Sequence, residues 1–177
     1  MKVMVALADG FEDIEAITPI DILRRAGVKV DTVGVVGSVI TSNQGIKVMV
    51  DKRISEVNPD EYDGIILPGG NPGYINLGRT AKLIEILKRM DSQGKLIAGI
   101  CGAPSVLAKA GVLENKKATI SPGMEREIPY PRPDRVVVDG NVITSQSPGT
   151  AMEYSLALVE KLVGRNKVSE LRKTLVI

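Results

Sequence analysis

Histidine is absent from all 177 residues. A Ser-His-Asp triad, a Cys-His dyad and a zinc site with an imidazole ligand are therefore excluded, and several copies of the chain together cannot supply the missing ring. Cysteine occurs once, as Cys101, which excludes an intramolecular disulfide and a multi-thiolate metal site. No stretch approaches the ~20 consecutive apolar residues of a membrane span. An excess of one charge is lacking too: 23 Lys and Arg face 21 Asp and Glu, a net charge of +2. The basic pairs Arg24–Arg25, Lys52–Arg53 and Lys116–Lys117 are scattered, so no stripe suits nucleic acid. There is no Asn-x-Ser/Thr sequon, and the opening run Met1–Ala8 passes straight into Asp9 and Glu12. It reads as a first strand, not as a signal peptide, and the expectation is a cytoplasmic protein with a free thiol.

What is present is a regular rhythm. Lys2–Ala8, Val28–Gly34, Asp63–Leu67 and Lys95–Ile100 are short runs rich in Val and Ile, each resembling a strand buried on both faces. Between the first two, Glu12–Ala26 predicts a helix with Ile14, Ile17, Ile20 and Leu23 on its apolar face, a kink at Pro19 and a stop at Gly27. Thr80–Gln93 predicts an amphipathic helix with Leu83, Ile84, Leu87 and Met90 inward. Strand and helix in alternation indicate an α/β fold, a mostly parallel sheet between helix layers, in one domain spanning 1–177.

Two hairpins interrupt the alternation: Val39–Thr41 with Gly45–Val50, and Arg135–Val138 with Val142–Ser145 across Asp139-Gly140-Asn141. Thr150 and Glu153 predict a capping box for a helix carrying Leu156, Val159 and Leu162 inward and ending at Gly164. Four prolines fall within Ser121–Asp134, a loop long enough to serve as a lid or binding loop.

Three segments carry candidate chemistry. Lys95–Ile100 runs directly into Cys101-Gly102-Ala103-Pro104 and a helix over Ser105–Ala110. Such a strand-to-helix turn places a side chain at the carboxyl edge of the sheet, and nearby helix N–H groups favour a thiolate. The small neighbours permit a nucleophile elbow, which predicts a strained backbone at Cys101. Pro68-Gly69-Gly70-Asn71-Pro72-Gly73, after another strand, exposes backbone N–H groups fit to hold an oxyanion or a phosphate. Gly73–Thr80 has the spacing of a nucleotide phosphate loop, but Arg79 stands where that chemistry needs Lys, so nucleotide binding is not expected. In the third segment, Glu12 and Asp13 suit a helix start, while Glu15 lies at the edge of the apolar face and is able to turn toward the sheet.

Taken with Leu7–Glu15, Pro19-Ile20-Asp21, Arg24–Gly27, Leu67–Asn71, Ala98–Pro104 and Thr144–Thr150, the chain resembles the ThiJ/PfpI superfamily, which shares the class I glutamine amidotransferase-like (flavodoxin-like) fold. Within it the chain most resembles the branch of the Parkinson-associated protein, the DJ-one family. The resemblance implies a reactive cysteine at Cys101 hydrogen-bonded by Glu15, oxyanion donors at Gly70 and Gly102, and a homodimer. It also implies a cofactor-independent enzyme of stress defence with no metal: a glyoxalase III or deglycase acting on small dicarbonyls, turning methylglyoxal into lactate. The alternative is a redox-sensing or chaperone-like protein whose cysteine oxidises to sulfinate. A peptidase or amidase reading suffers because many relatives carry a Thr-His-Pro segment where this chain has Thr119-Ile120-Ser121-Pro122, with Ser121 in place of imidazole. For the titration, the expectation is that Glu15 rises and Cys101 falls as the two share a proton.

Overall fold

A computed structural model describes residues 1–177. In chain order the strands are β1 (Lys2–Leu7), β2 (Lys29–Gly34), β3 (Val39–Thr41), β4 (Lys47–Met49), β5 (Lys52–Arg53), β6 (Gly64–Leu67), β7 (Leu96–Ile100), β8 (Val136–Asp139) and β9 (Val142–Ser145). The helices are α1 (Asp13–Arg25), α2 (Gly73–Arg79), α3 (Ala81–Ser92), α4 (Ala103–Lys109), α5 (Ala151–Val163) and α6 (Arg165–Leu175). Seven strands form one sheet in the order β5-β2-β1-β6-β7-β9-β8, parallel except for the β8–β9 pair, while β3 and β4 make a separate hairpin. The expected mostly parallel sheet and both hairpins are therefore present, with the main strand bounds shifted by a residue at most.

Strand alternation divides the interior into two layers. Val3, Val5 and Leu7 of β1, with Ile66 and Ala98, pack against α1, α5 and Leu171 of α6. Met4 and Ala6 of β1, with Ile65, Leu67 and Ile97, pack against α2, α3 and α4. The chain leaves β1 toward β2 on one side and returns to β6 on the other, so the strand order reverses between β1 and β6. Open parallel sheets leave a crevice at the carboxyl ends of the strands at such a reversal, and the loops that follow β1, β6 and β7 meet there.

Several expectations change in detail. In α1 the buried residues are Glu15, Ala16, Pro19, Ile20, Ile22 and Leu23, whereas Ile14 and Ile17 are 52% and 43% exposed. Spacings of three and four residues, not a strict three, follow the 3.6-residue turn, and that rotation carries Glu15 inward. The helix is continuous through Pro19. The capping box of Thr150 and Glu153 does not form. Thr150 Oγ1 instead accepts from Ser147 N–H at 3.1 Å and lies 2.6 Å from Ser145 Oγ, while Arg135 takes Glu153 at 2.8 Å. In α5 the expected Leu156 and Val159 are buried and Leu162 packs partly buried on the same layer, joined by Ala151, Tyr154, Ser155 and Leu158. Gly73–Arg79 is wound into α2, which removes the open loop that a phosphate cradle requires. The Pro-rich segment is tied at both ends: Ser121 N–H donates to Cys101 C=O, and Ala118 bridges the Tyr130–Arg132 backbone.

Candidate active site

Cys101 follows β7 directly and has φ +63°, the left-handed region that a side chain with a β-carbon adopts at a cost of about 1–3 kcal/mol. Two bonds hold it there. Its N–H donates to Ser145 C=O and its C=O accepts from Ser121 N–H, both at 3.0 Å. The expected elbow strain is thus found at the expected residue. Gly102 is fixed by space, because a β-carbon at that position would lie 2.7 Å from the Tyr74 ring. Its N–H, with that of Gly70, points at the Cys101 sulfur. Gly70 has φ +90°, and a β-carbon there would press on the backbone of Gly10, Phe11 and Glu12. Glycine is what lets this loop turn its N–H groups inward.

Glu15 enters from the other side. The Glu12 side chain caps α1 by accepting from Glu15 N–H at 2.8 Å, which sets the rotation of the first turn. Glu15 itself has no exposed surface. Its Oε2 accepts from Gly69 N–H at 2.9 Å, and Oε1 has no hydrogen-bond partner. A β-carbon on Gly69 would come within 2.7 Å of both Glu15 Oε2 and Cys101 Cβ, so Gly69 permits the carboxyl and the thiol to meet. Since Oε2 already accepts a hydrogen bond, Oε1 is the oxygen left to carry a proton.

Electrostatics follow from this packing. Burial pushes the Glu15 carboxyl up to about 7, against the opposing pull of Gly69 N–H and the Cys101 hydrogen bond. Burial also pushes the Cys101 thiol up, to about 11, reinforced by the charge of Glu15 and only partly offset by the N–H groups of Gly70 and Gly102. The expected rise at Glu15 is present. The expected fall at Cys101 is not, because two backbone donors do not compensate a desolvated sulfur facing a carboxylate. The resting pair near neutral pH is a thiol beside a carboxyl group at its titration midpoint, an arrangement in which the carboxylate can take the thiol proton as sulfur attacks.

Ser121 lies next to Cys101, as its backbone bond requires, and Glu12 faces Glu15 closely enough to raise it. Gly69, Tyr74 and Tyr154 were not singled out from the sequence as individual site residues. Gly69 was legible only as part of its loop, and nothing in the spacing around either tyrosine marks it as part of a site. No group of three or more carboxylate or thiolate side chains converges as a metal site. No helix is long and apolar enough to cross a membrane.

A parallel sheet that delivers a lone cysteine on a strained elbow, against glycine N–H groups, defines a class I glutamine amidotransferase-like protein of flavodoxin-like architecture. Comparison with known proteins narrows this. The chain belongs to the DJ-1/PfpI family, whose model matches residues 1–161. It is 39% identical to protein dj-1beta of Drosophila melanogaster, over 98% of this chain and 96% of that one. It is also 39% identical to a deglycase of Pyrococcus abyssi, over 92% and 99% respectively. The solved structure of Drosophila DJ-1beta superposes with a TM-score of 0.96 over 99% of this chain and 97% of its own, at 39% identity. Oxidized Toxoplasma gondii DJ-1 gives 0.95 at 37% identity, over 99% and 97%.

Proposed function

We propose that the protein is a cofactor-independent enzyme that converts small dicarbonyls such as methylglyoxal to hydroxy acids, with Cys101 as nucleophile and Glu15 as proton carrier. The observation that carries this reading is the buried contact between a thiol and a carboxyl group poised near pH 7. Ionised Glu15 accepts the thiol proton while sulfur bonds to the aldehyde carbon. The new alkoxide, held by the N–H groups of Gly70 and Gly102, takes that proton back from Glu15 and becomes a hydroxyl, which leaves Glu15 ionised again. Glu15 then removes the hydrogen on that carbon, giving an enediol, and the proton returns at the neighbouring carbon. The product is a lactoyl thioester on Cys101. Water cleaves it, releasing lactate and restoring the thiol, so the sum is methylglyoxal plus water to lactate. Ser121, whose N–H donates to Cys101 C=O, carries a hydroxyl that is no base near neutral pH, which disfavours amide cleavage.

The deglycase name of the Pyrococcus relative supports carbonyl chemistry. The oxidized state named for the Toxoplasma structure supports a second reading, in which Cys101 is held as a sulfinate by the same donors and binding matters more than turnover. Steady-state lactate production by wild type and C101A separates the two. Cys101-dependent turnover is the expected result, and wild-type production no faster than C101A overturns the enzymatic reading.

A homodimer is part of this proposal. Ile14 and Ile17 are exposed on α1, Met49 of β4 is 80% exposed, and Ile17 and Met49 line one shared cleft. A second copy covers such a face economically. Sedimentation velocity of wild type and I17D/M49D tests it, with monomeric wild type the overturning result.

A further inference from the structure

Four buried side-chain oxygens in the chain lack a hydrogen-bond partner: both of Asp13, Glu15 Oε1 and the Tyr154 hydroxyl. Tyr154 sits on α5, which packs directly on α1, and it has no exposed surface. Phenylalanine fills the same space without the burden of a buried hydroxyl that makes no hydrogen bond. A hydroxyl kept there therefore needs a partner. Among the unpartnered oxygens, Glu15 is the one whose charge reaches Tyr154: burial and Glu15 together hold the phenol far above its ordinary titration range. It stays a neutral donor at every working pH. The two oxygens do not bond each other directly, and a single water with these two polar partners meets the minimum for an ordered buried water.

We propose that the Tyr154 hydroxyl is a positioning group for Glu15, joined to Oε1 through one bridging water and holding the carboxylate ready to receive the Cys101 proton. This inference rests on the reading of Cys101 and Glu15 as the reacting pair. The titratable groups facing Glu15 are Cys101 from the elbow, Glu12 from its own helix start and Tyr154 from α5. Cys101 and Glu12 are unchanged by Tyr154→Phe, so a shift in that variant belongs to the hydroxyl.

The test is the rate of Cys101 alkylation by iodoacetamide against pH, in wild type, Y154F and E15Q. Wild type rises through a midpoint near Glu15's titration, and E15Q loses that inflection. Loss of the donor destabilises the carboxylate, so in Y154F the midpoint moves up by about 0.5–1 pH unit. An unchanged or lowered midpoint overturns the proposal, even if the unfolding midpoint changes. If Y154F does not fold, wild type labelled with 3-fluorotyrosine replaces it: the more acidic phenol donates more strongly and lowers the midpoint, and no shift is again the overturning result. Alkylation requires no dicarbonyl substrate. Absence of lactate with a Tyr154-sensitive midpoint sinks the proposed reaction alone, while turnover with an insensitive midpoint sinks this inference alone.

Discussion

The two helix layers that clasp the sheet are nearly equal in size, with 26 buried apolar residues on the α2–α4 side and 24 on the α1, α5 and α6 side. They differ in what else they enclose. The first layer is closed by Leu83, Ile86, Leu87 and Met90 of α3, with no ionisable group among its helices' buried residues. The second carries Glu15 on α1 and Tyr154 on α5, the helix packed against it, each with an oxygen unsatisfied by protein, and Cys101 packs at its edge. Similar apolar burial thus builds an all-apolar wall on one side and, on the other, sustains a desolvated carboxyl group pushed up to about 7.

Removing the nucleophile draws the contrast most sharply. C101A is expected to lower lactate formation by at least about 10³-fold, measured by steady-state kinetics, with the fold intact by circular dichroism. C101G, which also removes the strained side chain, should unfold at least as late as C101A, because glycine adopts a positive φ freely.

E15Q comes next. It should lower turnover by about 10²–10⁴-fold through loss of the proton carrier, yet stabilise the fold at alkaline pH. Unfolded Glu15 ionises near 4.5 and folded Glu15 about 7, so between those values the folded chain keeps a proton that the unfolded chain has lost. Rising pH therefore weakens wild type through that window, by roughly 3 kcal/mol once both states are ionised. Denaturant unfolding should show E15Q more stable than wild type at pH 8 and equal to it near pH 4. A wild type whose stability does not fall between pH 5 and 8 would break the comparison between the layers.

In the apolar layer the effects invert. L83A leaves a cavity and should cost about 2–5 kcal/mol of stability, while the pH midpoint of Cys101 alkylation stays where it is in wild type. The smallest effect is expected at Ser121. S121H introduces a second base beside Cys101 and should raise dicarbonyl turnover by a few-fold, less than the about 10²-fold of full general-base assistance because Glu15 already serves the step, with little change in stability. Strong cleavage of an unactivated peptide by wild type would mean that another group performs the missing imidazole's work.

Much of this was legible in the chain itself. The Val- and Ile-rich runs of β1, β2, β6 and β7 announce a doubly covered parallel sheet, because only burial on both faces removes polar alternation. Cys101 between a strand and small residues announces an elbow, and its φ of +63° agrees. Long-range partners were not legible. Glu153 looked like half of a capping box until Arg135, arriving from the hairpin of β8 and β9, captured it. The rise of the Cys101 thiol to about 11 depends on how deeply sulfur and Glu15 are buried together, a quantity that local spacing does not contain.

The sequence alone determined the order of elements, the position of the elbow and the exclusions: no imidazole, no disulfide, no thiolate metal site. These depend on residue identity and on periodicities a few residues long. Tertiary structure alone decided that α1 turns Glu15 inward and Ile14 outward, that Gly69 leaves room for the carboxyl to reach the thiol, and that Tyr154 of a distant helix shares its buried layer. Glu15 lies 54 residues from Gly69 along the chain, and farther still from Cys101 and from Tyr154. Desolvation and donor geometry at such a meeting point arise only when the sheet brings the strand ends together.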